Sequence, residues 1–436
     1  VDQSDGSTSV FIGKGQPLVI GAGAFSLATQ PNEFDSSRLE VTYQGAASVN
    51  ITGELSGGSL GGLLASPGQI IDPVVNQLGR IAVGLEQSMN NQHRLGMDLD
   101  GLLGGELFSI GSPLLTPAPG NTGITGLPVA VSDPAGLTAA DYRLEVDAGN
   151  NYLLTNLDDG TVTNLGAVPA GPGSVPVVID GLTIDLAPGA AVGDRFLLQP
   201  TRGMASSISL TVTDPRKLAA ASPVAVSSGV GNTGSAELAG LQVIDSSDAA
   251  FTTTSGALTP PLLIQFTGAG SFDLFDNSNP AAPVLLEGGN VYAAGAELFP
   301  TAGGLDYGYR LQLTGTPVAG DSFQVDYNLA GTGDNQNLLA MVEQQNQGLL
   351  SAGSNSYQES YQQLVGSIGA RTSSGEINLE AVGFMLEQSQ SRQLAVAGVN
   401  LDEEAAKLLE FQQAYQAAAQ TISAADTLFQ SLLEVI

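Results

Sequence analysis

The chain contains no cysteine, no tryptophan, a single histidine and only three lysines. Each scarcity removes a class of chemistry. Without cysteine there is no disulfide, no thiolate metal site and no cysteine nucleophile. A lone His93 cannot supply the imidazole pair that many zinc sites use. Thirteen basic residues against 43 acidic ones leave a net charge of −30. Such a field repels a polyanion and argues against a nucleic-acid partner. It also favours solubility. No apolar run approaches the roughly 18–20 residues of a membrane span, so membrane insertion is not expected. No cleavable signal segment is recognisable. The sequence opens at Val1, which reads as a processed or truncated product, or as an internal piece of a longer gene.

What is present is length and glycine. The 436 residues suffice for about two to four domains. At 42% hydrophobic they can fill cores, which 56 glycines keep light. Residues 1–58 mix β-branched and aromatic residues with glycine breaks and read as strands and turns. Asp72-Pro73 then looks like a helix start, with Asp as N-cap and Pro in the first turn. Ile71, Val74, Val75, Leu78, Ile81, Ala82, Leu85 and Met89 follow on one face. Pro67 argues against a continuous helix from Ser59.

From about Gly111 to Leu329, short strand-like runs alternate with Gly, Pro, Asn, Asp and Thr, an all-β texture. AAVGDRFLLQ (Ala190 to Gln199) echoes PVAGDSFQVD (Pro317 to Asp326), which suggests two related β domains with a break near Ser222 to Glu237. Beyond Asp334 the chain turns helical. Tyr357, Tyr361, Leu364 and Ile368 keep helical spacing, a break is expected at Ser373-Ser374-Gly375, and Asn400 with Glu403 resembles a capping box. The expected division is 1–110, strands plus a helix over about 73–92; 111–225 and 226–330, two β domains; 331–399, a helical return; and 400–436, a terminal coiled-coil helix. The fold class is α+β multidomain, with long helical rod or coiled-coil ends and two inserted all-β domains.

Several motifs invite a chemical reading and fail on context. Gly57-Gly58-Ser59-Leu60-Gly61 satisfies the nucleophile-elbow pattern, but an elbow belongs to alternating strands and helices, with the acid ahead of the histidine. Here the only histidine precedes Asp98. His93, in NNQHRLG, reads as a solvated or locally bonded helix-end residue. Asp98-Leu99-Asp100-Gly101 starts like a calcium loop, but Ser109 stands where the closing Glu belongs. Asp158-Asp159-Gly160 reads as a hairpin turn, and Gly13-Lys14-Gly15 lacks the rest of a phosphate loop. No catalytic, cofactor or metal residue is assigned, and no enzyme activity is expected.

The terminal helix, about Asp402 to Leu433, is different. It has no Gly or Pro and would run roughly 45–50 Å at ~1.5 Å per residue. Phe411, Tyr415, Ala418, Ile422, Ala425, Phe429 and Leu432 recur at alternating steps of four and three, a coiled-coil seam. Alanine alternating with larger residues permits close helix approach. These seven residues are the candidate assembly interface.

The stretch VAGVNLDEEAAKLLEFQQAYQAAAQTISAADTLFQSLL resembles the C-terminal signature of flagellar axial proteins. Within them it is most similar to the family of the hook-filament junction protein, the first hook-associated protein. GSLGGLL (Gly58 to Leu64), NNQH (Asn90 to His93), ELFSIGSP (Glu106 to Pro113) and the helical stretch from Asp334 through YQQLVGSIG resemble the same family's middle region. The β inserts agree only in kind. The resemblance implies a non-enzymatic building block of the bacterial flagellum that joins hook to filament by shape matching and needs no cofactor. It implies self-assembly into a ring, contact with hook protein and the second junction protein, and an export chaperone on the C-terminal helix. Delivery would be through the flagellum's own channel to an extracellular position. Family members carry a long N-terminal helical arm, and the sequence opens after it. The resemblance therefore implies a terminal seam without its intramolecular mate, frayed or self-associated in isolation. The alternatives are another axial subunit (flagellin or hook protein), a secreted hydrolase using Ser59, and a surface adhesin.

Overall fold

A computed structural model describes residues 9–44, 48–124, 126–350, 353–397 and 401–433. The chain forms two compact units, Val1–Gly366 and Ser367–Ile436.

The first unit opens with two small antiparallel sheets. One joins Val10–Ile12, Gln16–Ile20 and Gly23–Ala24, and the other Ser26–Pro31, Leu39–Gln44 and Ser48–Asn50. The Gly13-Lys14-Gly15 turn is closed by the Gly15 N–H donating to the Ile12 carbonyl, at 3.1 Å, and the Lys14 N–H donates to the Glu54 carbonyl, also at 3.1 Å. Helix α1 (Gly58–Ser66) then leads through a π-turn, Pro67–Ile71, into α2 (Asp72–Arg94). This corrects the expected break at Pro67. Ser66, Pro67 and Ile71 all keep right-handed helical dihedrals. The wider turn, with the Asp72 N–H donating to the Pro67 carbonyl, accommodates the proline ring. Asp72 is accordingly a helical residue rather than an N-cap.

The apolar stripe expected on α2 is not its deepest face. Ile71 and Leu78 are exposed, while Asn76, Gly79, Ala82, Val83, Gly84, Asn90 and His93 are buried. Small residues occupy that face because other chain segments press on it. A Cβ at Gly79 would lie 1.9 Å from the Thr201 carbonyl oxygen, and one at Gly84 would lie 2.5 Å from Leu350 Cδ2.

Two β bodies follow, and they share one chain path. In the first, a five-stranded antiparallel sheet has the order Val162–Ala167, Asn151–Asn156, Tyr142–Val146, Arg195–Gln199, Leu114–Pro117. In the second the order is Val284–Val291, Ser271–Asp276, Leu262–Gly268, Ser322–Tyr327, Val224–Ser228. Read from the edge inward, the strands come up in the same chronological sequence in both. A smaller sheet lies with each: Val175–Ile179, Leu182–Leu186 and Val129–Val131 in the first, Glu237–Val243 with Tyr309–Thr314 in the second. Strict alternation in Tyr142–Val146 and Leu182–Leu186 turns Tyr142, Leu144, Val146, Leu182, Ile184 and Leu186 into the first core. The second core is more aromatic: Phe266 packs edge-on against Tyr292 and Phe323, at centroid distances of 5.1 and 6.1 Å.

The Gly-Asp-x-Phe echo has a structural cause, and its partner is a second repeated string, Gly-Asn-Thr-Gly. In the first body Asp194 accepts from the N–H groups of Thr122, Gly123 and Ala191, at 2.8–3.3 Å. Asn121 exchanges two hydrogen bonds with the backbone of Arg195. In the second body Asp321 accepts from Thr233, Gly234 and Val318, and Asn232 makes the same exchange with Ser322. A buried carboxylate thus ties the loop that enters each body to the strand that leaves it. This changes the meaning of Ser222 to Glu237. The stretch is not a linker: it holds the strand Val224–Ser228, which pairs with Ser322–Tyr327. A division at 225/226 would cut that strand. Its glycines serve the loop that grips Asp321.

Short helices α3 (Met204–Ser207) and α4 (Ala249–Thr252) decorate the bodies, and α5 (Gln336–Glu343) packs on α2. Helix α6 (Tyr357–Ala397) starts at a capping box formed by Ser356 and Glu359. Ser356 Oγ accepts from the Glu359 N–H, and Glu359 Oε2 accepts from the Ser356 N–H. The capping box expected at Asn400 lies outside the described residues. Helix α6 runs unbroken through Ser373-Ser374-Gly375, because one glycine costs only about 1 kcal/mol among good helix formers.

Candidate assembly interface

Helix α7 (Leu401–Leu433) closes the described chain. Asp402, Glu403 and Glu404 fill its first turn, where negative charge complements the helix dipole. Thr421, Thr427 and Ser431 turn their hydroxyls back onto carbonyls four residues earlier. These three hydroxyls are satisfied within the helix, and the large apolar residues are left without cover. Phe411 is 74% exposed, Tyr415 78%, Ile422 70%, Phe429 64% and Leu432 63%, with Ala418 and Ala425 exposed between them. All seven candidate residues lie on this one continuous helix. Within the same unit, Ile377, Leu379, Phe384 and Leu394 of α6 are exposed as well.

The first unit holds two joints that the sequence did not announce, one for each β body. At the first, Arg202 fans out from the end of the first sheet: Nε to Asn76 Oδ1 at 2.7 Å, and its two terminal nitrogens to Asp72 at 2.5 Å and Asp141 at 2.6 Å. Arg38 makes a two-pronged pair with the same Asp72, at 2.6 and 2.7 Å. Burial pushes the Asp72 carboxyl up, but Arg38 and Arg202 outweigh it and hold it below the ordinary carboxylate range.

At the second joint His93 is fully buried, so of the two expected states, solvated or locally bonded, it is the bonded one. Its Nε2 accepts from the Ala219 N–H at 2.9 Å, so its Nδ1 carries the proton donated to the Gly105 carbonyl, at 2.8 Å. Asn337 donates to the Ala219 carbonyl at 2.7 Å. Asp98 and Asp100, the calcium-like fragment, are paired with Lys217 at 3.2 and 2.9 Å. Asp100 also meets Arg216, and these partners, Arg216 first, lower its pKa to about 2. Ser59 is exposed at the start of α1. Both ring nitrogens of His93 are engaged with backbone, so that histidine cannot act as a base for Ser59. Asp158-Asp159-Gly160 is the turn between Asn151–Asn156 and Val162–Ala167.

Neither Arg38, Arg202 and the two Gly-Asn-Thr-Gly loops nor the ion-pair role of Asp72 is legible as a joint in the sequence. Only the loops carried a signal, an identical four-residue string occurring twice.

Comparison with known proteins adds identity to this geometry. Residues 1–108 match the family model of the flagellar hook-associated protein FlgK helical domain. Residues 118–200 match a D2-like domain of flagellar hook-associated protein 1. Residues 390–435 match the C-terminal model of the flagellar basal body rod FlgEFG proteins. The chain is similar to flagellar hook-associated protein 1 of Escherichia coli strain K12, with 25% identity over 99% of this chain and 60% of the relative. The Salmonella typhimurium protein of the same name is 26% identical over the same shares. The chain thus spans 60% of the length of these curated relatives. The solved structure of the flagellar hook junction protein FlgK from Burkholderia pseudomallei superposes with a TM-score of 0.75 at 29% identity, over 91% of this chain and 74% of that one. The helical region, the first β body and the overall fold of this chain are thus similar to those of one group of proteins, the flagellar hook-associated proteins of the FlgK type.

Proposed function

We propose that this chain is a structural subunit of the bacterial flagellum that joins hook to filament, with α7 as its assembly contact and no bond chemistry of its own. The observation that carries the reading is the 4-3 seam of α7, uncovered along its length in a chain similar to flagellar hook-associated proteins. Burying each large residue of the seam against another helix contributes roughly 1.5–3 kcal/mol, and Ala418 and Ala425 let the two backbones approach. The β bodies between Gly111 and Leu329 form the exposed outer part. The partners are further copies in a ring, the hook protein and the second junction protein, with a chaperone covering α7 before export to the cell exterior.

Immunogold electron microscopy on intact cells, with antibody against residues 111–330, tests the position. A single label at the hook-filament boundary is the expected result. Label along the whole filament would indicate a flagellin-like subunit, and label on the cell body alone would favour an adhesin. Ile422→Asp, a charge in the middle of the seam, is expected to remove the junction label while the purified protein keeps its β-body melting transitions.

A further inference from the structure

The first unit carries ten lysine and arginine side chains, and nine of them have a carboxylate oxygen within 3.5 Å. The tenth is Arg80, in the middle of α2, and no acid among the described residues meets it. Its own helix offers none: Asn76, Gln77, Val83 and Gly84 stand one turn away on either side. Asn76, Val83 and Gly84 are buried, and Arg80 between them is half-buried. Its Nε is enclosed and has no acceptor among the described residues. Arg202, which meets the same helix, is held by Asn76, Asp72 and Asp141. An exposed arginine without an acid is ordinary, because water solvates its charge. Arg80 has given up part of that water and received no counter-charge. Burial alone acts on it, drawing its pKa below the ordinary arginine value.

We propose that Arg80 is an assembly contact, whose guanidinium takes a carboxylate from a neighbouring copy of the chain. Charge complementarity selects the group. The charge count selects the source. With 43 acids against 13 bases, each copy carries carboxylates that its own cations cannot match. Nine of the ten cations in the first unit are already engaged within their own copy, so Arg80 is the position in that unit where a neighbour's surplus acid gains a pair. The pairing also returns to Arg80 the counter-charge that its desolvation calls for, so it favours the assembled state over the free one. The inference rests on the axial-assembly reading, which brings copies side by side, and adds to it a contact on α2, remote in sequence from α7.

The test is zero-length crosslinking in assembled flagella that carry the full-length protein, with half of the copies labelled by heavy isotopes. Arg80→Lys replaces the guanidinium by an amine, which a carbodiimide couples to a touching carboxylate as an amide, with loss of water. Only three lysines of the chain compete for the reagent. A crosslinked peptide pair joining position 80 of one copy to an acidic residue of another is expected, seen as hybrid light–heavy masses. Arg94→Lys is the control: Arg94 meets Glu106 of its own copy at 3.2 Å, and its products should stay within one copy. Arg80→Met should leave the thermal melting of the free protein unchanged, since no pair is lost there, and lower the amount recovered in flagella about fivefold. A product at position 80 confined to one copy, a product with a different polypeptide, no product there while Arg94→Lys gives its own, or a free Arg80→Met protein that melts early overturns the proposal. Absence of the unsubstituted protein from flagella would instead remove the axial reading, and this inference with it.

Discussion

The two β bodies follow the same path and close with the same carboxylate, yet they are fastened to α2 by unlike chemistry. The first is held by a half-buried cluster of charges around Arg202 and Asp72. The second is held by a neutral, fully buried imidazole and an amide, with ion pairs only at the rim. The shared part is internal to each body, where loop and strand must meet in one geometry. The unlike part is the joint, where each body meets a different stretch of one helix. Repetition therefore conserved the lock and left the attachment to local circumstance.

The largest effect should come from the first joint. Arg202→Met would leave Asp72 and Asp141 short of a partner in a partly buried setting and is expected to cost about 3 kcal/mol. Denaturant melts read by a probe in the first body check this. If the probe in the second body shifts as much, the two joints are not separate. His93→Ala comes next, at about 2 kcal/mol, since it opens a cavity and leaves the Ala219 N–H and the Gly105 carbonyl without partners. Its loss should fall on the second body. An equal loss in the first body would break the comparison from the other side.

The smallest effects sharpen the likeness of the two locks. Backbone N–H groups of Val318, Thr233 and Gly234 hold the Asp321 carboxyl below the ordinary carboxylate range. For Asp194, burial pushes up, but the N–H groups of Ala191, Thr122 and Gly123 outweigh it, and its carboxyl is lowered too. A lowered carboxyl stabilises the fold fully above its unfolded pKa of about 4 and loses that contribution as pH falls through the folded value. Asp194→Asn and Asp321→Asn should each flatten the acid limb of the stability–pH profile for their own body, to a similar degree. A flattening confined to one of them would show that the repeat is geometric without being energetic.

The sequence by itself determined the local elements. Strand alternation in Tyr142–Val146, the helical spacing from Tyr357, the seam of α7 and the Gly-Asp-x-Phe echo were all legible, because burial on one face and backbone period are written residue by residue. The resemblance to flagellar hook-associated proteins was legible too, in the strings around VNLDEE, GSLGGLL and FSIGSP. Tertiary structure decided the rest. Pro67 stays helical because a π-turn absorbs it, and Ser222 to Glu237 is a strand and a gripping loop because Asp321, some ninety residues on, needs its N–H groups. The deep face of α2 carries Gly79 and Gly84 because the Thr201 carbonyl and Leu350 press against it there. His93 is a buried latch because Ala219 and Gly105 come to it from different parts of the chain. Each depends on which distant backbone group arrives, and periodicity in one dimension carries no record of that.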